Sequence, residues 1–220
     1  MVFAITVAPV TNAIRTMPVS RRAFLLFSLL AAAAPKRAAA ADGGPPAAIQ
    51  HFYDALLSVM KEGKHLSFEQ RYQRLAPVIS QAFNLPLMSR LAVGPEWAKL
   101  QPAQQQALTD AFSRYTISVY ANRFDDYSGE RFAVDPNPTT NANGVVVQSS
   151  LTKTDGEKVV LNYLMRQGAG GAWQVIDVYL SGTISELATR RSEFATTLQQ
   201  GGADALVKLL EQRIAALRTG

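Results

Sequence analysis

Residues 173–210, WQVIDVYLSGTISELATRRSEFATTLQQGGADALVKLL, contain a strand, a sharp turn and two helices in direct succession. Trp173, Val175, Asp177 and Tyr179 alternate with Gln174, Ile176, Val178 and Leu180, so both faces of a period-2 segment are mostly apolar. Such a strand needs cover on each side, which implies helices over one face of its sheet and core or ligand on the other. Gly182 ends the strand. Thr183 and Glu186 stand at the T-x-x-E spacing of a capping box, and Ile184, Leu187, Phe194 and Leu198 recur at helical intervals until Gly201 and Gly202 stop the helix. Asp204 is placed to cap a last helix with an apolar stripe of Leu206, Leu209, Leu210, Ile214 and Leu217.

Working back toward the N-terminus, the apolar period changes from 2 to 3.6. Four strands are expected at Arg131–Val134, Gly144–Leu151, Lys158–Arg166 and Ala172–Leu180, with Asp155-Gly156 and the Gly168–Gly171 cluster as hairpin connections. Before them come helices. Ile49–Lys61 carries Phe52, Leu56 and Val59 on one face, Ser67 with Gln70 forms a capping box, and Ser80–Leu91 reads as a shorter helix with Pro86 near its start or at a kink. Pro102 opens the longest helix, residues 102–124. The pattern predicts an α+β domain: N-terminal helices, a curved four-stranded antiparallel sheet and two C-terminal helices around apolar content.

The first 41 residues read as an export signal, leaving residues 42–220 as a single domain. Ser20-Arg21-Arg22 leads into the apolar run Ala23–Ala34, and Ala39-Ala40-Ala41 is an A-x-A type cleavage site; Met17 is an alternative start. The apolar run is short of the ~20 residues a membrane-spanning helix requires. The twin arginine and the general secretory route both remain open. Five of the 22 basic residues lie in this leader and none of the acidic ones, so the remainder balances 17 basic against 17 acidic. A basic nucleic-acid-binding surface is therefore not indicated. The absence of cysteine excludes disulfides, thiol catalysis and a lipidated N-terminal cysteine.

The inward-facing side chains carry the functional question. Phe112, Tyr115 and Val119 line one side of the long helix, while Val145, Val147, Leu161, Tyr163, Met165, Val175 and Tyr179 offer matching strand positions. Pattern alone favours an ordinary core, and with it a periplasmic interaction module that holds no ligand. Asp177, an acid within an apolar strand, must be hydrogen-bonded or paired, with Arg190 or Arg191 as partner, or else serve as a raised-pKa acid in isomerase-like chemistry beside a tyrosine. Neither His51 nor His65 stands at a metal-ligand spacing, the cluster Asp125, Asp126 and Glu130 fits a calcium loop poorly, and Ser181 and Ser185 lack a nucleophile-elbow sequence. Arg90, Lys99, Arg190 and Arg191 are candidates for contact with a phosphate or a partner protein.

The residues Trp173, Val175, Asp177, Val178, Gly182, Ser185, Arg191, Phe194, Gly201, Gly202, Asp204 and Leu206 form a series, W-x-V-x-D-V, Gly and Ser, R-x-x-F, G-G-x-D-x-L. This series resembles the C-terminal signature of the MlaC, or toluene-tolerance, family of periplasmic lipid-binding proteins. Phe52, Tyr53, Arg71, Phe83, Gly94, Trp97, Phe112 and Tyr120 resemble that family's helical half, so the likeness spans roughly residues 47–216. The wording GTISELATRRSEF looks more like the hopanoid-associated branch, HpnM. The resemblance implies a carrier and no enzyme or cofactor. It implies a cavity holding a phospholipid or hopanoid, lined by some of the ten apolar residues above, with Tyr115, Tyr163 and Tyr179 placing hydroxyls at its mouth. It also implies docking to an MCE-domain protein on an inner-membrane ABC transporter and to an outer-membrane lipoprotein, in a system of outer-membrane lipid asymmetry.

Overall fold

The computed structural model describes residues 43–219. The expected signal segment, its cleavage site and the alternative start at Met17 lie outside the described residues. Four helices come first: α1 (Pro45–Glu62), α2 (Phe68–Ala82), α3 (Leu85–Val93) and α4 (Pro102–Arg123), with 3-10 turns at Gly63–His65 and Gly94–Lys99. Seven strands follow, β1 (Arg131–Val134), β2 (Thr139–Asn141), β3 (Gly144–Val147), β4 (Ser149–Thr152), β5 (Lys158–Gln167), β6 (Trp173–Leu180) and β7 (Ile184–Ser185). The last element is α5 (Glu186–Thr219).

The helix boundaries follow local chemistry. Ser67 and Gln70 form the expected reciprocal box, with the Gln70 amide donating to Ser67 Oγ at 3.2 Å and the Ser67 amide to Gln70 Oε1 at 2.8 Å. Pro102 occupies the first turn of α4, where its missing N–H costs nothing. The helix expected over Ser80–Leu91 is divided differently. Residues 80–82 end α2, Phe83 is extended, and Asn84 starts α3 by accepting the Leu87 amide at 3.1 Å. A short polar side chain that satisfies a free helix-start amide thus outweighs continuous apolar periodicity. Pro77, by contrast, sits inside α2.

The sheet is antiparallel throughout, and β5 is its spine. Along one edge β5 pairs first with β4 and then with β3, which carry β1 and β2 outward; along the other it pairs with β6, and β6 with β7. Four strands were expected and seven are present. The expected strand Gly144–Leu151 breaks at Gln148, whose carbonyl accepts the Asp135 amide at 2.9 Å, so its halves pair with different parts of β5. Short β2 and β7 lack the length to show a period.

Leu180, Ser181, Gly182 and Thr183 turn β6 into β7, with the Thr183 amide donating to the Leu180 carbonyl at 3.2 Å. Both central residues have positive φ, 51° at Ser181 and 79° at Gly182, as the tight hairpin turn that matches strand twist requires. The first C-terminal helix is not capped by Thr183. Ser185 accepts the Ala188 amide at 2.9 Å, so the helix starts two residues later than the T-x-x-E spacing suggests. The two expected C-terminal helices are joined end to end: α5 is helical over 186–201 and 203–219 and breaks at Gly202, with φ 66° and ψ −161°. Asp204, expected to cap the second of them, lies inside that segment and accepts no helix-start amide among the described residues. That backbone region is open almost only to glycine. Gly202→Ala is expected to destabilise the fold by about 1–3 kcal/mol, although a methyl group there has open space. Urea unfolding of the two proteins checks this, and an unchanged midpoint would show that the break is not conformationally demanding.

Candidate functional site

Helices α1, α2, α3 and α5 pack on the sheet, α4 packs on α2, α3 and α5, and the interior is densely aromatic. Phe52 meets Phe83, Tyr120 and Tyr163 edge-on at centroid distances of 5.2, 5.7 and 6.3 Å, and Tyr53 stacks on Phe132 at 4.3 Å. Five of these rings, Tyr53, Phe83, Tyr120, Phe132 and Tyr163, also border a cavity of about 140 Å³, whose other walls come from α3, α4, β5, β6 and the first turns of α5. An enclosed apolar cavity of ~150 Å³ holds a benzene-sized molecule.

Of the ten expected lining residues, Phe112, Tyr115, Val119, Leu161 and Tyr163 face this cavity. Val147, Met165 and Val175 are instead buried in the core, Val145 is half-buried beside them, and none of the four borders the cavity. Val175 lies beneath the α2–α3 junction, where its carbonyl accepts the Asn84 amide at 2.9 Å. Tyr179 is directly opposite Asn162, on the sheet face that does not border the cavity.

The displacement of Tyr179 has one cause. Leu164 pairs with Asp177, but Met165 pairs with Val175, so Ile176 is an extra residue without a partner on β5. Strict alternation assigned Val175, Asp177 and Tyr179 to one face. A bulge of one residue reverses the faces beyond it, turning Val178 and Leu180 inward and Asp177 and Tyr179 outward. Val178 and Leu180 are thus cavity residues that alternation missed; Tyr53, Leu56 and Tyr120, which lie on helices, border the cavity as well. The helical positions were legible as apolar stripes; nothing in the strand pattern marks the bulge.

Asp177 is 8% exposed, and its hydrogen bonds are local. Oδ1 accepts the amides of Val178 at 2.8 Å and Leu187 at 3.1 Å, and Oδ2 accepts the Ser185 hydroxyl at 2.5 Å. The expected arginine pairing is not made. Arg190 turns to Glu186 and Glu193 at 3.5 and 3.2 Å, and its guanidinium lies 5.3 Å from the centre of the Tyr115 ring. The backbone itself satisfies the carboxylate, because the tight turn delivers two amides and a hydroxyl to the strand end. The carboxylate does not line the cavity.

The cavity wall also contains a chain of hydroxyls. Tyr53 and Tyr163 are 3.0 Å apart, Tyr53 is 2.7 Å from Ser149, and Ser149 donates to the Leu161 carbonyl. Burial raises the pKa of both tyrosines, so they are neutral. Tyr163 therefore does not sit at the mouth, contrary to expectation. The charged side chains that border the cavity, and so mark its mouth, are Arg123, the exposed last residue of α4, and Glu186 and Arg190 from α5. Arg71 anchors the α4 side, donating from Nε to the Ala121 carbonyl at 2.8 Å and also to the Leu66 carbonyl at 2.6 Å. Among the other expected phosphate or partner contacts, Arg90, Lys99 and Arg191 do not border the cavity.

An α+β domain with an apolar cavity opening between charged side chains is built to hold an amphiphile. The sequence model of the MlaC protein family matches residues 50–212, and the chain belongs to that family. Its fold is similar to that of a phospholipid-binding protein from Ralstonia solanacearum, solved in complex with a phospholipid. The two share 26% identity at a TM-score of 0.69, over 80% of this chain and 99% of the other.

Asp177→Asn is expected to cost about 2–3 kcal/mol, because an amide NH2 must face a donor and the charge that strengthens three hydrogen bonds is lost. Chemical denaturation gives the value. Wild-type stability in the variant would mean that this junction does not hold β6 to α5.

Proposed function

We propose that the protein is a periplasmic lipid carrier that holds the acyl or polycyclic part of a phospholipid or hopanoid in this cavity and shuttles it between membranes. The observation that carries the reading is the apolar cavity, with its charged mouth, in a chain of the MlaC family. The similarity to a protein solved with a phospholipid supports it and favours phospholipid over hopanoid. A diacyl lipid has roughly 30 methylenes, and exposing each to water costs about 0.8 kcal/mol, more than ~20 kcal/mol altogether. A cavity of near-membrane polarity removes that cost for the methylenes it takes in, so no covalent step is needed.

No helix among the described residues is long and apolar enough to cross a membrane, which suits a shuttle delivered by a cleaved signal segment. The proposed partners are an MCE-domain protein of an inner-membrane ABC transporter and an outer-membrane lipoprotein. The direction of transfer is set by whichever partner supplies the driving force. The alternative isomerase role for Asp177 has little support, since both its oxygens are engaged and it lies outside the cavity.

Two measurements test the reading. Native mass spectrometry of the exported protein is expected to show one co-purified lipid, identified after extraction; a clean apo mass that persists after incubation with phospholipid and hopanoid vesicles would exclude a carrier. Val119→Trp, at a half-buried position on the cavity wall, is expected to fill the space and reduce bound lipid at least about tenfold while circular dichroism stays unchanged. Full lipid occupancy in that variant would place the ligand elsewhere.

A further inference from the structure

Three of the tyrosines that face the cavity, Tyr53, Tyr163 and Tyr120, differ in how their hydroxyls are employed. Tyr53, Tyr163 and Ser149 share hydrogen bonds that end on the Leu161 carbonyl. Tyr53 donates to Tyr163 and Ser149 to the carbonyl, so each of the three hydroxyls is engaged within the wall. Tyr120 stands apart. Its ring is fixed by edge-on contacts to Phe52 and Phe83, each at 5.7 Å, and by stacking on Phe124 at 5.5 Å, yet its hydroxyl has no hydrogen-bond partner among the described residues. Burial pushes its pKa well up, with Tyr53 and Glu186 adding to the shift and Arg123 opposing it, so it remains a donor. A rigidly held donor on an apolar wall calls for an acceptor from the ligand.

Arg123 lies three residues farther along α4, about 4.5 Å along the axis, and is exposed at the cavity mouth. The other cation there, Arg190, is committed to Glu186 and Glu193. Arg123 has no acidic partner among the described residues. Arg71 already donates to the last-turn carbonyl of Ala121, which offsets the negative end of the helix beside it. Along this face of α4, buried Phe112 and half-buried Val119 give way to a free hydroxyl and then to a free guanidinium. Acyl chain, ester carbonyl and phosphate follow in the same order in an ester-linked phospholipid. A hydroxylated polycyclic hydrocarbon presents neither an ester carbonyl nor an anion.

We propose that Tyr120 and Arg123 select the ligand's linkage and headgroup: the Tyr120 hydroxyl donates to an ester carbonyl, and the Arg123 guanidinium pairs with the phosphodiester oxygens. This rests on the carrier reading and specifies what the same cavity prefers.

The test uses the exported protein, delipidated and titrated with diester phosphatidylglycerol, its diether analogue and diacylglycerol. Wild type is expected to bind the diester phospholipid most tightly. Tyr120→Phe, which keeps the ring packing, is expected to weaken that binding about threefold to tenfold and to leave the diether lipid unchanged. Arg123→Gln is expected to weaken both phospholipids about tenfold and to leave diacylglycerol unchanged. If that variant folds poorly, Arg123→Lys is expected to give an intermediate loss, since it keeps the charge without the planar fork. Inorganic phosphate in excess is expected not to displace lipid; displacement would reassign Arg123 to a free-anion site. Equal binding of all three lipids, or variants indistinguishable from wild type, overturns this selection and leaves the carrier intact. Absence of lipid binding in wild type overturns both.

Discussion

The Asp177 carboxylate is the point on which the arrangement of the cavity depends. Burying an isolated carboxylate is costly enough that it must be neutralised or saturated with donors. Here two backbone amides and a hydroxyl saturate it, and those donors come from Val178, Leu187 and Ser185. Meeting the demand of one side chain therefore fixes three things together: the end of β6, the tight turn after it and the start of α5. Glu186, Leu187 and Arg190, in the first two turns of that helix, form the wall and mouth opposite α4. Releasing the carboxylate would free the wall.

The unpaired residue Ile176 sets which side chains meet the cavity. Without it, β6 would turn Tyr179 inward, where Leu161 and Tyr163 stand, and Val178 and Leu180 would face away. The same shift moves Asp177 off the cavity-facing side to the side where the turn can reach it. One inserted residue thus makes the strand apolar toward the cavity and places its acid at the structural junction. The two features are coupled, since a carboxylate facing the cavity would lie beyond those donors.

This coupling also explains what the sequence could and could not disclose. The helices are legible because their caps and stripes are local: Ser67 with Gln70, Pro102, and the leucines of the last helix each act within a turn or two. The α+β order follows from the change of period. The bulge leaves no such mark, because Trp173–Leu180 is apolar on both faces and either register buries a comparable set. The Ser185 cap was hidden for a related reason. Thr183 stands at an equally good spacing, and the choice between them is made by Asp177, ten residues from Leu187 and across a turn. The signature residues that pointed to the family were informative because several of them, Asp177, Val178, Gly182 and Ser185 among them, build this one junction. Arg123 and Tyr120 are unremarkable as a helix C-terminal pair until the cavity places them side by side.

Protein interiors are normally packed as densely as organic crystals, so an unfilled space needs a physical reason. A void forfeits about 24 cal/mol per Å³, and a cavity of about 140 Å³ forfeits on that scale about 3 kcal/mol. Typical domains are stable by only about 5–15 kcal/mol. The rigid aromatic rings of Phe52, Phe83, Tyr120 and Phe124 support one another edge-on or stacked, and this resists collapse into the space. An apolar ligand restores the missing contacts, so its binding is thermodynamically linked to the stability of the fold. The cavity accounts for both the deficit of the empty state and the attraction for an acyl chain. The hydroxyls of Tyr53, Tyr163 and Ser149, bonded to one another and to the Leu161 carbonyl, serve the same end: they lessen the demand of the wall near them for a polar group that an acyl chain cannot offer.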